Sequence, residues 1–460
     1  MSHQSIFRFL TFKGDFAPLL KLTLPLVLTG AMQSSMNFFE NIFLAQLGPE
    51  TLAAGALVSW FFATLIVILF GTFSSVNILV AHKHGANDVA GISHVLRDGL
   101  VLAIILVVPT FILVWKMAPL FSLFGQSPKL VMLATSYLHA LAWGLLPKFI
   151  LIVLFELLLG LGRTRVITVF TMLLVPVYIF FSYVLIFGKL GFPALGIAGA
   201  GWGMTIGDWL ATPLLCLYVI LSKQYRCYLA SMFTFVKPFY LSEILHLGVP
   251  MGAMYCVEVG FFFAMTLLMG LIGVHSLAAN QVTMQYMGPL MGTVFCIAQA
   301  MTVRMGHELG AKNPASAERA AYAGISIAAV YMCLVALVYL LYPEALISLD
   351  FDINATENAE TVRFAKEFIF IAAFFQIFEA IRIALFGALR GLKDTRYTLM
   401  TSIISFWCVA LPLGFVIAIR FRFGGAGFWW AMMIGVVCSI WLLYGRFKSK
   451  MIGINAVLNQ

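Results

Sequence analysis

Apolar residues in this chain come in blocks of helix length, not in the alternating ten-residue stretches of a membrane barrel. Twelve blocks are readable, at 17–46, 51–81, 98–124, 129–160, 166–188, 198–221, 245–272, 277–303, 319–342, 365–389, 397–419 and 425–446. Several exceed the roughly 20 residues that cross a bilayer, which predicts tilt, kinks or extension into water. Pro25, Pro109, Pro176, Pro250, Pro289 and Pro412 lie inside blocks. Proline is tolerated there when neighbours satisfy the freed carbonyls, and it marks expected bends.

The pattern repeats. At an offset of 225, Pro25 meets Pro250, Gly48 meets Gly273, Leu52-Ala53-Ala54 meets Leu277-Ala278-Ala279, and Gly85-Ala86 meets Gly310-Ala311. Further on, GLGRTR at 160–165 meets GLKDTR at 391–396, and Gly199-Ala200-Gly201 meets Gly425-Ala426-Gly427. Six blocks per repeat is an even number, so both halves share one orientation, a parallel repeat about an axis along the membrane normal. The expectation is an all-α membrane protein of about 12 transmembrane helices in two pseudo-symmetric six-helix bundles, 1–221 and 245–460, joined by a cytoplasmic linker at 222–244 that carries Lys237 and Pro238. Two like-oriented halves suggest a central cavity open alternately to either side.

Composition agrees. Of 460 residues, 62% are hydrophobic and only 10% charged, with a mean hydropathy of +1.00, against about 25% charge in soluble domains. The N-terminal MSHQSIFRFLTFKGDF lacks the apolar core of a cleaved signal peptide, so the first span is expected to direct insertion. The net charge of +9 reflects topology rather than nucleic acid. With both termini in the cytoplasm, 18 Lys and Arg, among them Arg8, fall on the cytoplasmic side and 7 outside; Lys21, Lys148 and Arg382 remain within spans. The seven cysteines form no CxxC pair and read as packing residues.

A charged group at the centre of a span costs about 2.5–3.5 kcal/mol on the lenient insertion scale, so the acids inside blocks are informative. Glu40 shares a stripe with Gln33 and Asn37, at i, i+4 and i+7. The stripe fits a lined cavity or a polar helix contact. Glu258 lies eight residues after Pro250, with Tyr255, Phe261 and Phe262 on its face. Aromatics around a carboxylate suit a lipophilic cation, and a protonated carboxyl bonded to another helix is the other reading. Glu379 is flanked by Gln376 and Arg382, which allows either a structural salt bridge or a coupling site. Gln281 and Gln285, beside Asn280 and Gly288, could meet substrate or bridge helices. Glu156 and Asp208 acquire no partner from the sequence and read as structural.

His82, His84 and His307 are placed in cytoplasmic loops, with no HExxH spacing, and no GxxxxGK[ST] phosphate loop occurs. No paired nucleophile and base lies within the spans, so the chain does not read as an enzyme. The many Met and Phe residues could give a cavity adaptable walls.

In order and spacing, these residues resemble the multidrug and toxic compound extrusion family, in its bacterial NorM-like branch, over nearly the whole chain. The carriers are Phe39-Glu40-Asn41 through Leu47-Gly48, LGVP at 247–250 with Glu258-Val259, LAANQV at 277–282, RMGHELGA at 304–311 and FEAIRIALFGALRGLKD at 378–394. The resemblance implies antiport by alternating access: a proton or sodium ion enters while a hydrophobic organic cation leaves. It implies ion coupling at Glu258 and Glu379, with Glu40 as the first-half acid; under sodium coupling Glu258 and Glu379 would be the metal ligands. Gln33, Asn37, Tyr255, Phe261, Phe262, Gln281, Gln285, Gln376 and Arg382 are the expected substrate-cavity residues. No cofactor is expected beyond the coupling ion, H⁺ or Na⁺. The expected protein is a monomer in the bacterial inner membrane, with organic cations and lipid as partners and no nucleic acid. The chain departs from the pattern at Glu40, often Asp in that branch, at Tyr178 and Ser182, where amides are expected, and at Arg382. Gln33, not an acid, falls opposite Glu258. The alternative is a flippase for lipid-linked saccharides or phospholipids, which a basic cavity would favour.

Overall fold

A computed structural model describes residues 13–123, 125–229, 239–353 and 355–458, and it contains no strand among them. Arg8, Lys237, Pro238 and the start of the N-terminal segment lie outside the described residues. Among the described residues, eleven helices are long and apolar enough to cross a membrane, and one bent pair completes twelve. Spans 1 to 6 are Phe16–Gln46, Pro49–Gly85, Val89–Leu123, Pro128–Ala142 with Leu145–Gly160, Thr164–Phe187 and Ile197–Leu221. Spans 7 to 12 are Leu241–Ile272, Val274–Gly310, Pro314–Leu341, Ala359–Gly391, Thr395–Arg420 and Gly424–Ala456.

Some span starts have a clear local cause. Asp88 accepts the Gly91 amide at 2.8 Å and starts span 3, with Lys83 paired to it at 2.9 Å; these two contacts hold its carboxyl below the usual range. Asn313 accepts the Ser316 amide ahead of Pro314 in span 9. The turn between spans 1 and 2 uses Gly48 at φ 113, a left-handed conformation that favours glycine. His82 and His84 lie in the last turn of the Ser75–Gly85 helix and His307 in the last turn of span 8, so they extend helices rather than occupy loops.

The chain clusters into two compact units, Leu24–Gly248 and the chain up to Thr23 together with Val249–Gln460. The divisions fall one residue before Pro25 and one before Pro250, at positions related by the offset of 225 seen in the sequence. Spans 1 and 7 are therefore each divided near their start.

Two expectations need correction. Span 4 is not one continuous helix: it bends by 53° between Ala142 and Leu145. Trp143-Gly144 ends the first segment, and Pro147, which lacks an amide donor, sits in the first turn of the second. The carbonyls around the break are taken up by one face of span 6. Thr205 donates to Ala140 at 2.6 Å, Trp209 to Trp143 at 3.0 Å and Thr212 to Pro147 at 2.7 Å. A broken helix survives in lipid only with such replacements. The cysteines are also not core residues: Cys227, Cys256, Cys333 and Cys408 are exposed and the other three half-buried. The protein buries alanine and glycine at its helix contacts instead, because close backbone approach is what packs helices in lipid.

Spans 5 and 6 show this. Gly199, Gly203 and Gly207 repeat every four residues along span 6. A Cβ on Gly203 would lie 2.4 Å from the Ser182 hydroxyl oxygen, and one on Gly207 2.1 Å from the Tyr178 ring. The bare glycine surface lets the Tyr178 ring lie close against span 6. Gly207→Ala should cost about 1–3 kcal/mol by overpacking, read as a lower thermal midpoint in detergent. Adding Tyr178→Ala to that variant should recover part of the loss by vacating the ring's space.

Candidate functional site: buried charge clusters in each half

Span 10 is packed against spans 8, 9 and 12 and carries a fully buried cation. Arg382 projects Nε to Glu379 Oε2 at 2.8 Å and Nη2 to the other oxygen of the same carboxylate. Its Nη1 reaches Glu258 Oε1 of span 7 at 2.8 Å. Ser402 of span 11 donates to that same Glu258 oxygen at 2.9 Å. The guanidinium carbon lies 4.5 Å from the centre of the Phe386 ring and 4.8 Å from Phe406. A buried charge is tolerable when paired, hydrogen-bonded and stacked, and Arg, with its planar fork, meets all three conditions.

The π-helical segment Ile403–Ala410 starts directly after Ser402. Pro412 cannot donate into the helix ladder, and the backbone widens in the turns before it. This widened helix holds Phe406 beneath the guanidinium and against Phe261, with ring centres 4.7 Å apart.

The first half has a matching cluster. The hydroxyl of Tyr137, on the first segment of span 4, is hydrogen-bonded to Glu40 of span 1. Asp208 of span 6 takes the Tyr178 hydroxyl at 2.7 Å and the Lys148 ammonium at 3.0 Å. Elsewhere in this half, Asn77 of span 2 donates to Glu156.

Polar side-chain bonds tie spans 1 and 7 to their neighbours. For span 7 these are Glu258 to Arg382 and Ser402, Tyr255 to Arg390 at 3.0 Å, and Trp407 to the Val257 carbonyl at 3.0 Å. For span 1 they are Glu40 to Tyr137, Thr29 to Thr168, and Thr168 to the Pro25 carbonyl. The Pro25 carbonyl is thus capped by span 5 just where span 1 is divided.

The site residues expected from sequence separate into two groups. Glu258, Glu379 and Arg382 converge on one cluster, while Glu40 belongs to the other. Gln33 and Asn37 are exposed on span 1; Gln281 is exposed and Phe262 half-buried. Gln285 is exposed, and its amide reaches Asp350 at 3.4 Å. Arg382, Gln376, Phe261 and Tyr255 are instead buried inside the second half, at 1%, 0%, 2% and 9% exposure. Arg382 is consumed by two carboxylates, Phe261 by Phe406 and Tyr255 by Arg390, so none of these presents a free face to a substrate. The pairing of Glu379 with Arg382 is real but incomplete as a description, since Glu258 shares the same cation. As metal ligands, Glu258 and Glu379 converge on a guanidinium, and among the described residues no three acidic, His or Cys side chains gather as a metal site. Tyr137, Ser402 and Phe406 were not singled out from sequence. Lys148 and Arg382 were visible as bases inside apolar blocks, and each implies a nearby acid.

Two sets of six spans, one with two buried carboxylates on a single arginine and the other with a half-buried lysine on a buried aspartate and a separate buried glutamate, define a repeated membrane protein with charge held inside each half. The MatE family model matches residues 25–184 and 250–416, once per half, beginning at Pro25 and again at Pro250. The chain belongs to this family. It is 33% identical over 434 residues, covering 94% of this chain and 93% of the relative, to "Probable multidrug resistance protein NorM" of Mesorhizobium japonicum. It is 30% identical over 431 residues, with the same coverage, to "Multidrug resistance protein NorM" of Burkholderia vietnamiensis. Among solved structures, a multidrug resistance MATE family transporter in an outward-facing conformation superposes with a TM-score of 0.86 at 18% identity, covering 97% of this chain and 98% of that one. The eukaryotic MATE transporter AtDTX14 superposes at 0.82 and 20% identity, covering 97% and 99%. At these identities the structures establish the shared fold.

Arg382→Met should be strongly destabilising, by about 3–5 kcal/mol, because it leaves two buried carboxylates uncompensated. Introducing Glu258→Gln and Glu379→Gln into that variant should recover most of the stability. Thermal unfolding in detergent, followed by size-exclusion of the soluble fraction, reads both effects.

Proposed function

We propose that this protein exports hydrophobic organic cations from the cytoplasm in exchange for protons, by alternating access. The observation that carries the reading is the charge count around Arg382. Two carboxylates share one permanent cation, so the cluster holds one negative charge more than it can neutralise internally. In a membrane interior that surplus favours uptake of one monovalent cation. Glu258 is the carboxylate fitted to take it. Glu379 is engaged through both oxygens by the guanidinium fork, whereas Glu258 holds a single guanidinium N–H and the Ser402 hydroxyl. A hydroxyl both donates and accepts, so Ser402 can donate to the carboxylate and, after rotation, accept from the carboxylic acid.

The same geometry favours a proton over sodium. The space between the two carboxylates, where a sodium ion would gain most, is filled by the guanidinium. A proton needs no such space. Its arrival at Glu258 would also weaken the bonds that tie span 7 to spans 10 and 11. Ion binding and helix attachment would thereby share one carboxylate, which is the requirement for coupling an ion to a change of access. Glu40 would play the corresponding part in span 1. Exposed Gln33, Asn37 and Gln281 remain candidates for substrate contact.

Multidrug export is what the names of the NorM relatives state for those proteins, and a surplus of buried negative charge suits cationic substrates. The Lys and Arg distribution of 18 against 7 supports both termini in the cytoplasm, and the bacterial relatives support the inner membrane.

Everted membrane vesicles test this reading. A fluorescent lipophilic cation such as ethidium should accumulate under an imposed pH gradient and not under a sodium gradient, and Glu258→Gln should abolish accumulation. Uptake driven by sodium alone would remove the argument from Arg382. Transport of a lipid-linked saccharide, with no cation moved under either gradient, would replace export with flipping.

A further inference from the structure

We propose that Lys148 is a tethered counter-cation of the first half, held by Asp208 away from Glu40 so that Glu40 stays open to an exchangeable cation. This inference rests on the cation-export reading and assigns the first half its own switchable charge.

Of the buried acids in this half, Asp98 accepts from Arg97 Nε at 3.0 Å and from the Tyr240 amide at 2.7 Å. Glu156 receives the Asn77 amide. Asp208 has a cation and a hydroxyl, at 3.0 and 2.7 Å. Glu40, 7% exposed, is hydrogen-bonded to a neutral group, the Tyr137 hydroxyl, and the cation acting on it from nearby is Lys148. Glu40, Asp208 and Lys148 thus sum to one negative charge, as do Glu258, Glu379 and Arg382. In both halves two carboxylates compete for one base.

The base differs in a way that matters. Arg is a rigid fork that can hold both carboxylates of the second half at once. Lys is a point charge on a flexible stem and serves one close partner at a time. The fold decides which. Lys148 sits in the first turn after the break in span 4. The carbonyls around that break are bound by Thr205, Trp209 and Thr212, on the same face of span 6 as Asp208. Lys148 and Asp208 are therefore delivered to each other by the contacts that stabilise the break. Tyr178, packed against Gly207, supplies Asp208 with a second donor and keeps its carboxylate aimed at the ammonium. The Lys148 side chain is still 22% exposed, against 3% for Asp208, so its end is not sealed in place.

If the tether is cut, the ammonium has one acid left. Freed from Asp208, the flexible ammonium can turn toward Glu40 and neutralise it from within. Asp208→Asn should thus behave as though a cation were permanently bound at Glu40.

The test is equilibrium binding of ethidium to the purified full-length protein in detergent, beside proton-driven ethidium uptake in proteoliposomes. Asp208→Asn should raise the ethidium Kd by about tenfold or more, equivalent to at least about 1.4 kcal/mol. Asp208→Asn with Lys148→Met should bring it back to within about threefold of the wild-type value, and Lys148→Met alone should lower it. In a Glu40→Gln background Asp208→Asn should change nothing further, a dependence that general destabilisation would not show. Persistent weak binding in the double variant, or weaker binding in Lys148→Met alone, would overturn the proposal. Should Asp208→Asn not fold, Lys148→Met still decides by the direction of its change. Wild-type protein that neither binds ethidium nor exchanges it for protons would defeat the export reading, and this inference with it; normal wild-type exchange with unaltered variants would defeat only the role of Lys148.

Discussion

Two carboxylates competing for the buried guanidinium of Arg382, 1% exposed, is the constraint on which the rest of this structure depends. In bulk solvent such a triad would contribute little, because each charge would be hydrated separately. Inside a helical bundle surrounded by lipid the charges must answer to one another. Arg382 therefore ties span 7 to span 10 through Glu258, and Ser402 ties the same carboxylate to span 11. The widened turns of span 11, the Phe406 ring beneath the guanidinium and the Ser402 hydroxyl all serve that one arrangement. The surplus negative charge it leaves behind is what an exchanging cation would neutralise.

The first half meets the same constraint with different parts. Its acids come from spans 1 and 6 and its base from a broken span 4, and the break is stable only because span 6 supplies donors to the freed carbonyls. The glycine ladder of span 6 brings Tyr178 close enough to complete the Asp208 environment. Sequence repeats and structural divisions agree at Pro25 and Pro250, yet the chemistry at related positions has diverged, with Gln33 in the place that corresponds to Glu258. The two halves resemble each other in charge balance more than in residue identity.

Much of the fold was legible because lipid imposes a simple rule on sequence: helix-length apolar blocks, with bases concentrated on one side. The span count and the internal repeat followed from it. The bend in span 4 was not legible, since Trp143-Gly144 and Pro147 sit in an apolar block whose hydropathy does not change at the break. The cysteines were misread for a related reason: apolar surroundings in sequence mean lipid as often as protein core. At the site, Glu258, Glu379 and Glu40 stood out because acids are rare within spans. What escaped was their company. Arg382 was noticed as a neighbour of Glu379 at i+3, but its second partner is 124 residues away, and Lys148 and Asp208 are 60 apart. Helical spacing reports the contacts within one span and is blind to those between spans. The aromatics near Glu258 likewise looked like a substrate face until their partners, Phe406 and Arg390, came into view.

The central claim is that a proton and an organic cation compete for the surplus charge at Glu258. Calorimetric titration of the purified protein with ethidium, repeated in buffers of different ionisation enthalpy near neutral pH, measures the protons displaced on binding. The account predicts net proton release in the wild-type protein, reduced in Glu258→Gln and insensitive to added sodium. Binding of ethidium with no proton displaced, or displacement that sodium suppresses at constant pH, would contradict it.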